Sequence, residues 1–192
     1  MTKSKKEFPS GAKRVYQGVI YDVWQWEQIL FDGSSATFER LARPDSVQVI
    51  AVSGDRVILQ DQLQPDWEKP GITLPGGRLE QGESPLIGAM RELREETGYE
   101  SNDWELLQEF SPSSHFIWTI HTFVARACKK TGAPNLEAGE RIRELAVAFE
   151  EFLTYGEEPV FRNHDIKPLL IRARYEAGYR RTFYSLLFSG NV

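Results

Sequence analysis

The sequence predicts an α/β (α+β) fold in which a mixed β-sheet lies between helices, preceded by a β-hairpin. Three observations carry that expectation. Short aromatic and β-branched runs, bounded by glycine, proline, aspartate and serine, recur through most of the chain as strands do. Among them stands one helical segment, residues 84–98, with start and stop signals at its two ends. Strands and helices do not alternate strictly, which argues against an all-parallel sheet of repeated strand–helix–strand units.

Residues 1–13 read as a solvated tail: the stretch is basic but no apolar run follows, so it is not a secretory signal. Residues 16–31 are rich in aromatic and β-branched side chains, Asp32-Gly33-Ser34-Ser35 supplies turn chemistry, and residues 36–42 resume a strand. This sets off 14–44 as an N-terminal hairpin unit and 45–192 as the main domain. Residues 46–52 and 56–60 form a second pair around Ser53-Gly54-Asp55, and 65–75 is a proline-containing loop ended by Gly76-Gly77. In 84–98, Ser84 suits the N-cap and Pro85 the first helical position, where a missing N–H costs nothing. Gly98 suits the left-handed stop. Residues 104–110 and 116–129 read as strands, 131–139 as a polar loop, and 145–149 as a further strand. Helices are expected over 150–155 and 165–179.

With 41% hydrophobic and 27% charged residues, the chain is composed like an ordinary globular domain. Its formal charge of −5 argues against general binding to nucleic acid or an anionic membrane, which favours a basic field. No apolar stretch reaches the roughly 18 residues of a membrane span, so a cytoplasmic location is expected. Cys128 is the single cysteine; it excludes an intrachain disulfide and a cysteine zinc cluster, and is expected to be a small buried residue near a strand end.

The helix carries the chemistry. At about 100° per residue, with Glu92 at zero, Glu96 falls near 40° and Glu95 near −60°. Leu86, Ala89, Met90, Leu93 and Thr97 form the neighbouring stripe, expected to face the core. Like charges so arranged cost a few tenths of a kcal/mol, about that per pair, unless a cation neutralises them. Oxygen donors without histidine or cysteine select a hard ion, Mg²⁺ or Mn²⁺. Arg91, one turn before Glu95, can pair with it.

In front of these residues stand Gly77, five residues, and Glu83; seven more lead to Arg91-Glu92-Leu93-Arg94-Glu95-Glu96-Thr97-Gly98-Tyr99. The pattern matches the Nudix box at every specified position, and the chain resembles Nudix hydrolases of the ADP-ribose and nucleoside diphosphate sugar pyrophosphatase type. The N-terminal hairpin and a late acidic loop extend the resemblance beyond the box. It implies the Nudix fold, an α/β/α sandwich, and a homodimer with exchanged N-terminal strands.

The resemblance also implies cleavage of a pyrophosphate by metal-activated water. Carried onto this sequence, Glu92 and Glu96 are the main ligands of Mg²⁺ (or Mn²⁺ as substitute), with Glu95 assisting, the Gly76 carbonyl as a further ligand and Arg91 orienting the carboxylates. The general base then comes from the loop over residues 135–143, as Glu137 or Glu140, with Glu92 or Glu95 as the alternative. Trp24 and Trp26, on one face of the hairpin, are candidates to stack the substrate base, and His115 to touch its phosphate or sugar. Two departures concern substrate: Asp61-Gln62-Leu63-Gln64 stands where relatives carry Arg-Gln-Tyr-Arg, and Ser113-Ser114-His115 where they carry Ser-Pro-Gly. The expected substrate is ADP-ribose or another nucleoside diphosphate sugar. A nucleoside triphosphate or capped-RNA pyrophosphohydrolase and a non-catalytic nucleotide-sensing module are the alternatives.

Overall fold

A computed structural model describes residues 7–136 and 138–189. In chain order its elements are β1 (Lys13–Gln17), β2 (Asp22–Ile29), β3 (Ser35–Ala42), β4 (Ser46–Ser53), β5 (Arg56–Leu63), β6 (Gly71–Thr73) and α1 (Pro85–Thr97). Then follow β7 (Tyr99–Glu100), β8 (Asp103–Phe110), β9 (Phe116–Ile117), β10 (Ile120–Arg126), β11 (Lys129–Lys130) and β12 (Arg141–Ala148). The chain closes with α2 (Phe149–Thr154), α3 (Lys167–Tyr175) and α4 (Ala177–Phe188).

The single strand expected over 16–31 is two. Gly18 donates its N–H to the Tyr21 carbonyl at 2.9 Å, a reversal in which an added Cβ would collide with that carbonyl. The turn at 32–35 forms as expected: the Asp32 carboxylate accepts the Ser34 N–H at 3.0 Å and its hydroxyl at 2.6 Å. β1, β2 and β3 thus make an antiparallel sheet that β9 joins through a parallel pairing with β3.

The main sheet runs β12-β5-β4-β10-β8, with β6 beside β5. β4 and β10 are parallel and the other pairs antiparallel, so the sheet is mixed. Alternation along β4 divides the core. Val47, Val49 and Ala51 pack with Ala89 and Leu93 of α1, whereas Ile50 and Val52 pack with Phe152, Phe161, Leu170 and Phe183 on the helical side opposite. A sheet between α1 and the α2–α4 layer is the α/β/α sandwich.

Further corrections have local causes. Residues 116–129 break into three strands: the Trp118 indole donates to the Ser46 hydroxyl at 3.0 Å and the Thr119 N–H to the Asp45 carboxylate at 2.8 Å, while Ala127 turns at φ 49. The last strand starts earlier than expected, at Arg141, and Phe149 begins α2 instead of ending the strand. The long terminal helix divides at Glu176, which is extended (φ −106, ψ 103) between α3 and α4. Cys128 is buried, as expected, and burial pushes its thiol up to about 11. Among the described residues no helix is long and apolar enough to cross a membrane.

Of the stripe expected on the carboxylate helix, Ala89, Leu93 and Thr97 are buried and Leu86 and Met90 are not. Leu86 and Met90 are 39% and 40% exposed, and the buried positions are Gly88, Ala89, Leu93, Glu96 and Thr97. The loop before α1 packs on the Gly88 side, where an added side chain would collide with Leu79 and press on Glu83, and Glu96 is bonded to Gln60 of the sheet. Ser84 has the extended geometry of an N-cap but its hydroxyl makes no capping bond, whereas Gly98 takes the left-handed stop at φ 73.

A polar network on the opposite face fixes the approach to the site. The Asp165 carboxylate accepts the side-chain amides of Gln48 (2.6 Å) and Gln108 (3.0 Å), and burial raises its pKa. Asn163 donates to the Gln48 side-chain carbonyl at 2.6 Å and accepts the Leu74 N–H at 2.8 Å. The chain entering Pro75-Gly76-Gly77 is thereby tied to the central strand.

Candidate active site

Glu83, Glu92 and Glu95 are gathered by one guanidinium. Arg91 donates through Nε and Nη2 to the two Glu83 oxygens, both at 2.9 Å, and through Nη1 to Glu92 and Glu95, both at 3.0 Å. Its Nη2 also donates to the Arg78 carbonyl at 3.1 Å, locking the loop before α1 to the helix. The pairing with Glu95 expected from spacing is present, and two carboxylates join it. The Arg91 hydrogen bonds hold the Glu83 carboxyl below its ordinary range, and those carboxylates in turn strengthen the protonation of Arg91. Bidentate geometry of this kind suits arginine rather than lysine.

Glu96 is treated differently. It is 4% exposed and accepts the Gly76 N–H at 2.7 Å and the Gln60 side-chain amide at 3.0 Å. Both donors are neutral; burial dominates and pushes the carboxyl up to about 8, with the charges of Glu92 and Glu140 adding to the rise. Glu92 is also raised, chiefly by burial, against the pull of Arg91. Gln60 is in turn bonded to the Thr73 hydroxyl at 3.2 Å, and that hydroxyl lies 3.1 Å from the Gln62 side-chain oxygen on the cleft wall.

The glycines admit this arrangement by having no Cβ. Gly76 (φ 154) runs against the Val47 carbonyl and the Gln48 backbone, and Gly77 lies against the Glu92 carboxylate so closely that a methyl would collide with it. We expect Gly77→Ala to displace Glu92 and lower turnover at least about tenfold while leaving the far-ultraviolet spectrum unchanged; kinetics with circular dichroism checks it. The amides of Val49 and Val47 donate to the Pro75 and Gly77 carbonyls at 2.8 and 2.9 Å, which leaves the Gly76 carbonyl between them outside that ladder.

A cleft of about 570 Å³ opens over these residues, and its lining includes Glu92, Glu95 and Glu96 together with Arg43, Arg78 and Glu140. Arg43 was not foreseen. Its guanidinium stacks on the Trp118 indole at 4.4 Å and donates to the Ser46 hydroxyl at 3.4 Å, while its buried Nε has no hydrogen-bond partner among the described residues. The one signal available was a cation flanked by Ala42 and Pro44 at a strand end.

The other expected site residues are dispersed. Glu140 lines the cleft; Glu137 lies outside the described residues. Trp24, Trp26 and His115 do not line the cleft of a single chain. Trp24 stacks on Phe8 at 4.3 Å, Trp26 is buried beneath Arg40, and His115 is exposed, with its carbonyl accepting the Leu41 N–H at 3.0 Å.

The donor set fits a hard cation: Glu96 is a buried carboxylate with only neutral donors, beside a second carboxylate whose pKa burial has also raised. Among the described residues no three acidic, histidine or cysteine side chains stand together as a ready cage. An ion held here would therefore complete its shell with carbonyl, water or phosphate oxygens, the usual habit of magnesium.

A loop–helix–loop with clustered carboxylates at a cleft beside a mixed sheet defines a class of phosphoanhydride hydrolase. The chain belongs to the Nudix family: the NUDIX domain matches residues 42–167. It is a hydrolase of that family, whose members generally use a divalent metal. It is 31% identical over 161 residues to the methanol dehydrogenase activator of Bacillus methanolicus, covering 82% of this chain and 86% of that one. To the ADP-ribose pyrophosphatase of Bacillus subtilis it is 31% identical over 154 residues, covering 79% and 83%. A crystal structure of an ADP compounds hydrolase superposes with a TM-score of 0.71 over 88% of this chain and 94% of that one; at 22% identity the likeness concerns the fold.

Proposed function

We propose that the protein is a magnesium-dependent pyrophosphatase of nucleoside diphosphate sugars, with ADP-ribose the favoured substrate. The observation that carries this is the cleft itself. Its lining brings the carboxylates of Glu92 and Glu96 together with Arg43 and Arg78, so a metal-bound diphosphate would find anionic and cationic groups in one cleft. The similarity to an ADP-ribose pyrophosphatase supports the choice of substrate.

In this reading Glu92 and Glu96 hold the metal, Glu95 assists and the Gly76 carbonyl adds an oxygen. A cation held by these oxygens would lower the pKa of a bound water and neutralise phosphate charge. Arg91 keeps Glu92 and Glu95 in place, and the Arg43 guanidinium donates to a phosphate oxygen. Glu140 takes the proton of the attacking water, with Glu137 of the same loop as the competing base. The loop is anchored for this: Thr131 and Gly132 donate to the Gly98 carbonyl at 2.9 and 3.3 Å, Asn135 to the Glu95 carbonyl at 2.7 Å, and the Tyr99 hydroxyl to Glu144 at 3.1 Å.

The N-terminal sheet leaves Val15, Tyr16, Ile29 and Phe31 exposed. We assign that apolar surface to a homodimer in which Trp24, Trp26 or His115 reaches a substrate across the interface. A buried, single cysteine accords with a cytoplasmic enzyme.

Incubation with a panel of nucleoside diphosphate sugars and triphosphates in Mg²⁺, resolved by chromatography, tests the assignment. AMP and ribose 5-phosphate should appear from ADP-ribose; turnover of triphosphates alone, or nucleotide binding without turnover, contradicts it. Arg43→Ala should raise KM about 10–100-fold with a smaller change in kcat, the weight of one charge-assisted hydrogen bond.

A further inference from the structure

A second cavity, of about 610 Å³, lies on the flank of α1 away from the box glutamates. Its helical wall is Ile87, Met90, Arg91 and Arg94, spaced i, i+3, i+4, i+7, so one face of the helix is half apolar and half cationic. The opposite wall holds Trp104, Lys129 and Ala127. Ala127, at φ 49, is the only residue other than glycine with positive φ among the described residues.

Ile87 and Met90 are 55% and 40% exposed. The amphipathic pattern marked Met90 for the core, and it borders this cavity instead. Four cationic and two acidic side chains line the cavity (Arg91, Arg94, Arg126 and Lys129 against Glu100 and Asp103), a positive island in a chain of net charge −5. Arg91 and Arg126 are committed to carboxylates, whereas the side chains of Arg94 and Lys129 make no hydrogen bond or ion pair among the described residues. A volume of this size suits a small molecule, apolar walls suit a ring, and two uncommitted cations suit an anionic group.

We propose that this cavity is a second ligand site for a small aromatic anion, with Trp104, Ile87 and Met90 holding the ring and Arg94 and Lys129 the charge. The site goes beyond the hydrolytic reading and does not rest on it. None of the box carboxylates lines it, and Arg91 is the one side chain it shares with the catalytic cleft.

The test is a fluorescence titration of the full chain, without substrate, using 8-anilinonaphthalene-1-sulfonate as the aromatic anion. Arg94→Glu and Lys129→Glu should each raise its Kd at least about fivefold, and the double variant more, with unchanged melting temperatures. Loss of dye binding in Arg78→Glu, with Arg94→Glu unaffected, would put the dye in the catalytic cleft and overturn the proposal. Equal binding by all variants would put it on the exposed N-terminal sheet and overturn the proposal as well. Met90→Glu, at an exposed position, gives a check that adds charge without touching Arg94: it too should weaken binding, and unaltered affinity counts against the site.

Discussion

Glu96→Gln is expected to lower turnover at least about a hundredfold while leaving the fold intact, because it removes charge from the position where a cation and developing phosphate charge would be balanced. The fold survives because a glutamine oxygen can still accept the Gly76 and Gln60 N–H groups that now bond the carboxylate. The same substitution should change how stability depends on pH. Glu96 has its folded pKa raised, to about 8, above the ordinary carboxyl value of 4.5. Its contribution to metal-free stability is therefore fully present below the unfolded pKa and is lost as pH rises through the folded one. Metal-free wild type should lose stability between about pH 4.5 and 8, and Glu96→Gln should lose most of that slope. Denaturant titrations at several pH values in chelator measure this; parallel curves for the two proteins would refute a strongly raised Glu96.

Arg91→Ala is expected to be costly in a different way. It leaves Glu83 and Glu92, whose side chains are 9% and 12% exposed, without their cation. Breaking a buried pair from one side costs about 3–5 kcal/mol. Because Arg91 is itself 20% exposed, the lower end applies, a fall in melting temperature of about 6–12 °C. Turnover should fall about a hundredfold or more, since Glu92 and Glu95 lose the donor that holds them. Arg91→Lys should recover part of the stability and little of the activity, because a single ammonium cannot fork between Glu83 and the helix carboxylates. Recovery of full activity by lysine would reduce Arg91 to a source of charge.

What the sequence makes legible follows from which contacts are local. Glu92, Glu95 and Glu96 are related by helical periodicity, and Gly98 by the left-handed stop, so their arrangement can be derived before any tertiary contact is known. Arg91 is legible in part: its bond to Glu95 lies one turn away, whereas the bidentate pairing with Glu83 needs the loop path that Gly77 and Gly88 permit. Gln60 and Arg43 belong to the site only because β4 and β5 are laid beside α1. A glutamine breaking the apolar run of β5 was the visible trace of the first. The N-terminal hairpin was recognised but its extra reversal at Gly18 was not, since a close carbonyl–amide approach leaves no periodic mark. Met90 was misplaced because periodicity finds an apolar stripe and not how far the sheet covers it, which stops short of this 40% exposed position. The missing cation of the Asp61–Gln64 segment is not restored on that strand. Asp61 pairs with Arg143 of β12 at 2.6 Å, and the cations that line the cleft, Arg43, Arg78 and Arg91, come from other segments.

Glu96 is the central member of the proposed divalent-cation site. The most direct measurement is the thermal unfolding of wild type and Glu96→Gln through a Mg²⁺ titration at about pH 7.5, without substrate. A ligand that binds only the folded state raises its stability with concentration. The wild type should therefore show a saturable rise in melting temperature, and Glu96→Gln a flat response over the same range. An equal rise in both proteins would contradict the assignment of the cation to this carboxylate.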